Sequence, residues 1–358
     1  MCPVVPAALA TEPRYSYYRH TLTLTGSIVR ATLIVLLTNS LCMVHAPFAA
    51  AQGVKPSAPP AYPSRVIRIV LPGSPGAGSD IIGRILAQPL SKTLGQNVVI
   101  DNRPGAANII ATEIAAKSAP DGYTLLIGTT GTFVTNPLVY AKLPYSINDF
   151  AAISNAVEAA FLLAVHPSVP AKNVTEIVAL AKARPGQMAI ASFGIGSSTH
   201  FAGELFQSMT KTKLVHVPYK GSAPGVVDLV AGNIAATFDT ILTLTPYIQS
   251  RRVRPLGLAA AKRLKLVPDM PTLAEQGLKD FEAGSWYGLL APAGTPREIV
   301  TRLHAETVAA LKLPEVQKRF TELGTDIIGN SPEEFTNQIR NERAKWAKVA
   351  QDAGIKPE

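Results

Sequence analysis

The sequence predicts an α/β protein of two lobes, each a mostly parallel sheet flanked by helices, with a ligand cleft between the lobes. Three observations predict this. From residue 65 onward, apolar β-branched runs alternate with segments of helical period, the pattern of right-handed βαβ units. The runs are continuous rather than alternating, as in strands covered on both faces. Four times, such a run passes into a Gly/Ser/Thr-rich turn that opens a helix.

The N-terminus comes first and reads as an address, not as fold. Arg14, Arg19 and Arg30 precede the apolar stretch Ala31–Leu37, which continues with interruptions to Val44. Ala46 and Ala49–Ala51 follow, small residues suited to signal-peptidase cleavage. The apolar core falls short of the ~20 residues that a membrane span needs. Residues 1–51 are therefore expected to be a cleaved signal peptide, and the mature protein to begin near Gln52 in the periplasm. Cys2 and Cys42 both precede the cut, and Leu41 makes a poor lipobox, so the mature chain should lack cysteine. Residues 52–63 read as a proline-rich linker.

In the folded part, strands are expected at 65–71, 97–101 and 123–128, with helices at 79–94 and 107–117 and a turn at Asp121-Gly122. A second run follows. Its strands are 161–165, 188–192, 214–217, 235–239 and 255–260. Its helices are 174–183 (with Asn173 or Thr175 near the start), 199–209, 223–231 and one through 245–250. A strand at 286–290 precedes the C-terminal helices. Thr295 is placed as N-cap with Pro296 at the first helical position, and Ser331 with Glu334 forms a capping box. The lobes are expected to be 64–162 with 287–358, and 163–286, the chain crossing near 160–166 and again near 281–287.

Apolar residues make up 47 % of the 358 and charged ones 16 %, enough to bury a large core. The net charge is +9 and the isoelectric point about 9.5. The basic runs, Arg251-Arg252-Val-Arg254 and Lys262-Arg263-Leu-Lys265, are short and lack interleaved aromatics, so nucleic acid is not an expected partner.

The turns carry the functional signal. A helix N-terminus presents unpaired N–H groups at the positive end of the helix dipole, which suits an anion without any cation. The first turn runs from Pro72 to Asp80. It is neither a Walker loop nor a dinucleotide fingerprint; either Gly76–Ser79 cradle a carboxylate, or Ser79 or Asp80 caps the helix. The second is Thr129-Thr130-Gly131-Thr132, whose three hydroxyls can donate to an oxyanion or belong to an ordinary turn. The third, Gly194–His200, offers Ser197, Ser198 and Thr199. It lacks the Gly-x-Ser-x-Gly elbow, which leaves His200 to packing or hydrogen bonding more readily than to catalysis. The fourth is Val217-Pro218-Tyr219-Lys220-Gly221-Ser222, with Tyr219 as a pocket wall and Lys220 facing an anion or solvent. Asp239 ends a strand at the same face, where it can cap a helix, accept an ammonium or fix a water. No cluster has metal-ligand spacing, and no carboxylate pair is placed for acid–base work.

The order and spacing of several stretches resemble the extracytoplasmic receptors of tripartite tricarboxylate transporters, the Bug family. They include Tyr62–Val70, Gly76–Asp80, Asp101–Ala106, Ala119–Leu126, Lys142–Tyr145, Val165–Pro170, His216–Gly221, Val267–Thr272 and Ser285–Pro292. The resemblance covers residues 62–358. It implies a two-domain periplasmic-binding-protein fold of type II that closes on its ligand. It also implies a monomeric, non-catalytic receptor that needs no cofactor and no metal, and that hands a small organic acid to a membrane permease. That acid would be a mono- or dicarboxylate, amino acids included. By position, the ligand sites would be Gly76, Ala77, Gly78, Ser79, Asp80, Thr129, Thr130, Gly131, Ser197, Ser198, Thr199, His200, Tyr219, Lys220, Gly221 and Asp239. The chain departs from the family pattern at Gly73-Ser74-Pro75, where Phe or Trp before Pro is frequent. It departs again at Ser198 for Gly and at Thr240 for Asn, changes that bear on the ligand and not on the fold. The competing reading is an exported hydrolase using Ser197 or Ser198 with His200.

Overall fold

The computed structural model describes residues 62–357, so the leader, both cysteines and most of the linker lie outside the described residues. Strand β1 (Ile67–Leu71) leads through a turn into helix α1 (Gly78–Leu94), then β2 (Val98–Asn102), α2 (Ile109–Ala116) and β3 (Thr124–Thr129). β1 pairs in parallel with both β2 and β3. Alternation explains why the runs are apolar throughout. Ile67, Ile69 and Leu71 pack with Ile82 and Leu86 of α1, while Val70 belongs to the core on the other face.

A π-helical turn, Gly131–Thr135, follows β3 where the sequence reads as loop. Then comes β4 (Phe150–Val165), three times the expected length. Its first half pairs antiparallel with β9 (Gly284–Pro292), through Ala160↔Gly284. Its last five residues, from Phe161, pair instead with β7 (Ala236–Thr240) and β8 (Arg254–Leu258). The same residues serve two cores: Phe161, Leu163 and Val165 face one, Leu162 and Ala164 the other. Residues 150–160 are rich in alanine and carry Ser154, Asn155 and Glu158, a weak strand signal. Tertiary pairing with β9 outweighs that local preference.

The second run is α3 (Val174–Ala183), β5 (Ala189–Ser192), α4 (Ser198–Thr210), β6 (Val215–Pro218), α5 (Ser222–Ala231), β7, and α6 (Ile241–Gln249) before β8. β5 pairs in parallel with β6 and β7. The sheet path is therefore β2-β1-β3-β9-β4-β7-β5-β6, with parallel ladders at its two ends and antiparallel ones where β4 and β9 run between them. This is the two-lobe α/β fold that the alternation predicts.

After β9 come α7 (Arg297–Leu311), α8 (Pro314–Glu322), β10 (Asp326–Ile327) and α9 (Pro332–Asp352). Pro296, not Thr295, takes the cap position of α7, and Thr295 Oγ1 turns back to donate to Pro292 O at 2.7 Å. The boundary moves by one residue because that local bond competes with capping. Ser331 and Glu334 do form the expected box, and Asn173 caps α3. α9 locks the middle of the molecule. Phe335 lies edge-on to Trp286 of β9 at 5.0 Å, and Trp346 meets Phe201 of α4 at 6.0 Å. Gly288 of β9 makes room for this: a Cβ there would fall 2.1 Å from Phe335.

Candidate functional site

The strand-to-helix turns converge on one small cavity of about 50 Å³. Pro72, Gly73, Ala77, Gly78 and Ser79 come from the β1–α1 turn, Asn108 from the approach to α2 and Thr129 from the end of β3. Phe193, Ser197 and Ser198 come from the β5–α4 turn, and Gly221 and Ser222 from the start of α5. Asp239, Thr240 and Thr243 come from the β7–α6 junction, and Ser285 and Tyr287 from β9. Among the described residues, hydroxyls dominate this wall, Asp239 is its one carboxylate, and no Lys, Arg or His lines it. In open α/β sheets, ligands sit at the carboxyl ends of strands, where these turns lie.

Each turn is held by bonds that leave its front free. The α1 cap, Ala77, is extended (φ −75°, ψ 164°) and offers no side-chain bond to the first-turn N–H groups. Asp80, one turn in, points its carboxylate away: it accepts from Gly76 N at 2.9 Å, Arg84 Nε at 2.9 Å and Asn102 Nδ2 at 3.1 Å. Burial pushes this carboxyl up, but those donors outweigh it and hold it below the usual range. Gly78 has no side chain for a steric reason, since a Cβ would fall 2.6 Å from Tyr287 Oη. Thr129 Oγ1 is placed by Asn108 Nδ2 (3.1 Å) and Thr132 Oγ1 (3.1 Å).

The β5–α4 turn is clasped from outside. Thr135 Oγ1 donates to Gly196 O at 2.6 Å and Tyr140 Oη to Ile195 O at 2.9 Å. Ser197 caps α4, accepting from His200 N and donating to Gly194 O at 2.7 Å. Asp239 is 1 % exposed. Its Oδ2 accepts from Ser222 Oγ at 2.5 Å and its Oδ1 from Thr240 N at 2.7 Å, yet burial pushes its pKa up to about 7. Burial, with the Asp239 charge close by, also raises the Tyr287 phenol above its ordinary value.

Of the residues expected from sequence, eight line the cavity: Ala77, Gly78, Ser79, Thr129, Ser197, Ser198, Gly221 and Asp239. The other eight do not, and most have structural partners. Gly76 and Asp80 bond each other, Thr130 Oγ1 accepts from Trp286 N, and Thr199 Oγ1 accepts from Phe193 N. Gly131 packs beside the start of α4, its ideal Cβ 3.7 Å from Ser198 N. Tyr219 donates to Asp228 at 2.5 Å, and Lys220 is exposed. His200 Nδ1 accepts from Gly196 N at 3.3 Å, and its ring stacks on His216 at 4.1 Å. Burial, then the neighbouring imidazole, drives His200 down to about 3, and burial drives His216 down to about 4. A neutral, stacked imidazole that bonds a backbone amide is not placed to activate Ser197 or Ser198. Ser197 Oγ contacts Gly194 O, Thr199 Oγ1 and the His200 N–H rather than an imidazole nitrogen.

Sequence reasoning missed the β9 side of the wall. Ser285 and Tyr287 sit in a strand with no turn to flag them, although the Ser285–Pro292 stretch marks the family. Ser222 ends the fourth turn and Thr240 is a departure from the family pattern, so both carried a signal, and Thr243 lies four residues beyond Asp239. A larger hollow of about 700 Å³ lies on the far side of β9, between residues 259–266 and α9, and shares Ser285 and Trp286 with that strand. Its wall mixes Lys262, Arg263, Lys265 and Lys345 with Glu158, Glu282 and Glu342, and the helix starts described above do not open into it.

Comparison with known proteins supplies the family. The family model of the tripartite tricarboxylate transporter family receptor matches residues 82–355. Protein BugT of Bordetella pertussis is 33 % identical over 322 residues, 89 % of this chain and 99 % of that protein. An R. palustris protein solved with adipate is 37 % identical with a TM-score of 0.81, covering 83 % of this chain and 100 % of that one. MatC from Rhodopseudomonas palustris, solved with bound malate, is 31 % identical with a TM-score of 0.77, covering 80 % and 99 %. With its two-lobe fold and its cavity of helix starts and hydroxyls, the chain belongs to the tripartite tricarboxylate transporter receptor family, the family of the Bug proteins.

Proposed function

We propose that the protein is a periplasmic receptor that closes its cleft on a small organic carboxylate and delivers it to a tripartite tricarboxylate-type permease. One observation carries the reading. Helix starts and hydroxyls from both ends of the sheet meet in a cavity whose wall holds no cation. Such a wall binds an oxyanion through directed donors, and water exclusion strengthens each bond. Adipate and malate in two relatives define the ligand class to try first. The lobes are taken as 64–162 with 287–358, and 163–286. The chain would cross where β4 changes partners after Ala160 and where β9 begins at Gly284. Ala77–Ser79, Thr129, Ser197, Ser198, Gly221 and Asp239 would surround the ligand, joined by Ser222 and Tyr287. The remaining sequence candidates would shape the turns. No turnover is expected, because the serines lack a base.

The test is thermal melting of the purified protein with adipate, malate and a panel of mono-, di- and tricarboxylates, with product analysis alongside. A ligand in about 100-fold excess over its Kd should stabilise the fold by about 2.7 kcal/mol, with no product formed. Turnover of any panel member, or a panel without a single melting shift, would overturn the reading.

A further inference from the structure

An anion entering this cleft meets an electrostatic problem. Asp239 is buried in the wall, and the residues lining the cavity with it include no Lys, Arg or His. Two carboxylates close together in a site of low dielectric do not both stay ionised. Either the ligand brings an ammonium group or one proton must be added.

The surroundings of Asp239 favour the proton. Its Oδ1 accepts from Thr240 N–H and its Oδ2 from Ser222 O–H, while the Thr240 and Thr243 hydroxyls bond each other at 3.0 Å. Both carboxylate oxygens therefore already hold a donor on a side chain that is 1 % exposed, where an ammonium would need added room. A proton needs no extra room, because one existing bond can reverse.

We propose that Asp239 takes up a proton when the cleft takes up a carboxylate, so that the receptor captures an organic anion and one proton together. The inference rests on the receptor reading above and deepens it. The proton comes from solvent. Thr240 N–H occupies Oδ1, so the proton sits on Oδ2, at the 2.5 Å contact with Ser222. Oδ2–H then donates to Ser222 Oγ, and the Ser222 hydroxyl hydrogen turns to the ligand carboxylate. No bond between heavy atoms forms or breaks, and the added proton offsets one ligand charge.

Other groups near Asp239 do not compete for this proton around neutral pH. Across β4 it faces Leu162, which is apolar. Tyr287 on β9 is raised further above its ordinary value and stays neutral. Asp80 on α1 is held low and ionised beside Arg84. His200 on α4 and His216 on β6 are held down to about 3 and about 4 and stay neutral. Lys220, before α5, is exposed. Burial brings Asp239 itself up to about 7, so the free protein is poised between its two forms.

The experiment is calorimetric titration of the intact mature protein with adipate and with malate, at pH 6 and pH 8, in phosphate and in Tris. Both probes are fully ionised at pH 8, so a difference in heat between buffers counts protons taken up by the protein. Uptake close to one proton is expected at pH 8 and much less at pH 6. Affinity should fall about tenfold per pH unit above the pKa of free Asp239. Asp239→Asn should show no uptake and a flat pH profile. Wild-type binding at pH 8 without proton uptake would overturn the inference while leaving the receptor reading intact, whether or not the variant folds. Aspartate binding more tightly than malate, without uptake, would overturn it in favour of an ammonium partner. No binding of adipate, malate or aspartate at either pH would sink the receptor reading and this inference with it.

Discussion

The β1–α1 and β5–α4 turns are built on one plan and finished differently. In each, a glycine at φ 82°, Gly76 or Gly196, precedes an extended cap residue. In each, the side chain at the third helical position reaches back to accept that glycine's N–H: Asp80 for Gly76, His200 for Gly196. The finish differs at the cap. Ser197 accepts the N–H of His200 with its side chain, whereas at α1 the N–H of Asp80 is accepted by the backbone carbonyl of Ala77, which has no capping side chain. The second turn is also clasped by Thr135 and Tyr140, while the first is fastened through Arg84 and Asn102. One turn caps its helix start with a side chain, and the other with backbone alone.

The largest expected effect comes from the two glycines. At both, an alanine must hold a left-handed φ, at a cost of about 1–2 kcal/mol. At Gly76 nothing else opposes it, since no atom lies within 4 Å of the ideal Cβ. At Gly196 the Cβ would fall 2.9 Å from Asn136 Oδ1 and 3.0 Å from Tyr140. Asn136 is fully buried and tied to Ala107 O and Tyr145, so it has no room to yield. Gly196→Ala should therefore destabilise by about 2–5 kcal/mol once overpacking is added. Urea unfolding of the two variants measures the difference, and equal losses would erase the asymmetry between the turns.

The third helical position separates the turns by pH. His200 binds its proton far more weakly folded, near 3, than unfolded, near 6.5. Its contribution is fully present above pH 6.5 and is lost as pH falls toward 3. At pH 5 that amounts to about 2 kcal/mol. Asp80 is also held below the ordinary carboxylate range, so its contribution is lost only below about pH 4. Asp239 works in the opposite sense. Raised to about 7, it favours folding at low pH and loses that contribution as pH rises from 3.8 through 7. His200→Asn keeps an acceptor for Gly196 N–H and removes the titration. The drop in melting temperature between pH 7 and pH 5 should shrink in that variant and not in Asp80→Asn. An unchanged drop would place the acid sensitivity elsewhere.

The sequence made one half of this architecture legible and hid the other. Strand-to-helix turns announce themselves through Gly, Ser and Thr after an apolar run, so the sequence points to Gly78, Ser79, Ser197 and Ser198, which line the cavity. The long strands β4 and β9 do not announce themselves. Ala151–Ala160 is held as a strand by pairing with β9, information that lies more than a hundred residues away. Tyr287 and Ser285 enter the wall through that same pairing, so their missing signal is the missing strand seen from the other side. Asp80 and His200 are among the expected ligand groups because they stand beside Ser79 and Ser197–Thr199 in sequence, yet neither lines the cavity. The helix turns their side chains back onto their own turns, and that orientation is set by geometry and not by composition.

The smallest effect probes the comparison most directly. Ala77→Ser places at α1 the cap that α4 already has. A serine at a helix cap stabilises by about 1 kcal/mol over alanine. The free protein should gain that much in urea unfolding, because the hydroxyl now accepts from a first-turn N–H. The same hydroxyl competes with the ligand for that N–H and adds a side-chain oxygen to the cavity wall at Ala77. Affinity for adipate or malate should therefore fall as stability rises, by about fivefold to tenfold for one donor lost to a charged acceptor. Ser197→Ala is the mirror experiment. It should cost about 1 kcal/mol of stability and leave affinity unchanged or improved, since an N–H is released at the other helix start. If both variants weakened binding alike, the first turn of α1 would not be the place where the anion sits. The difference between the two caps would then be incidental to function.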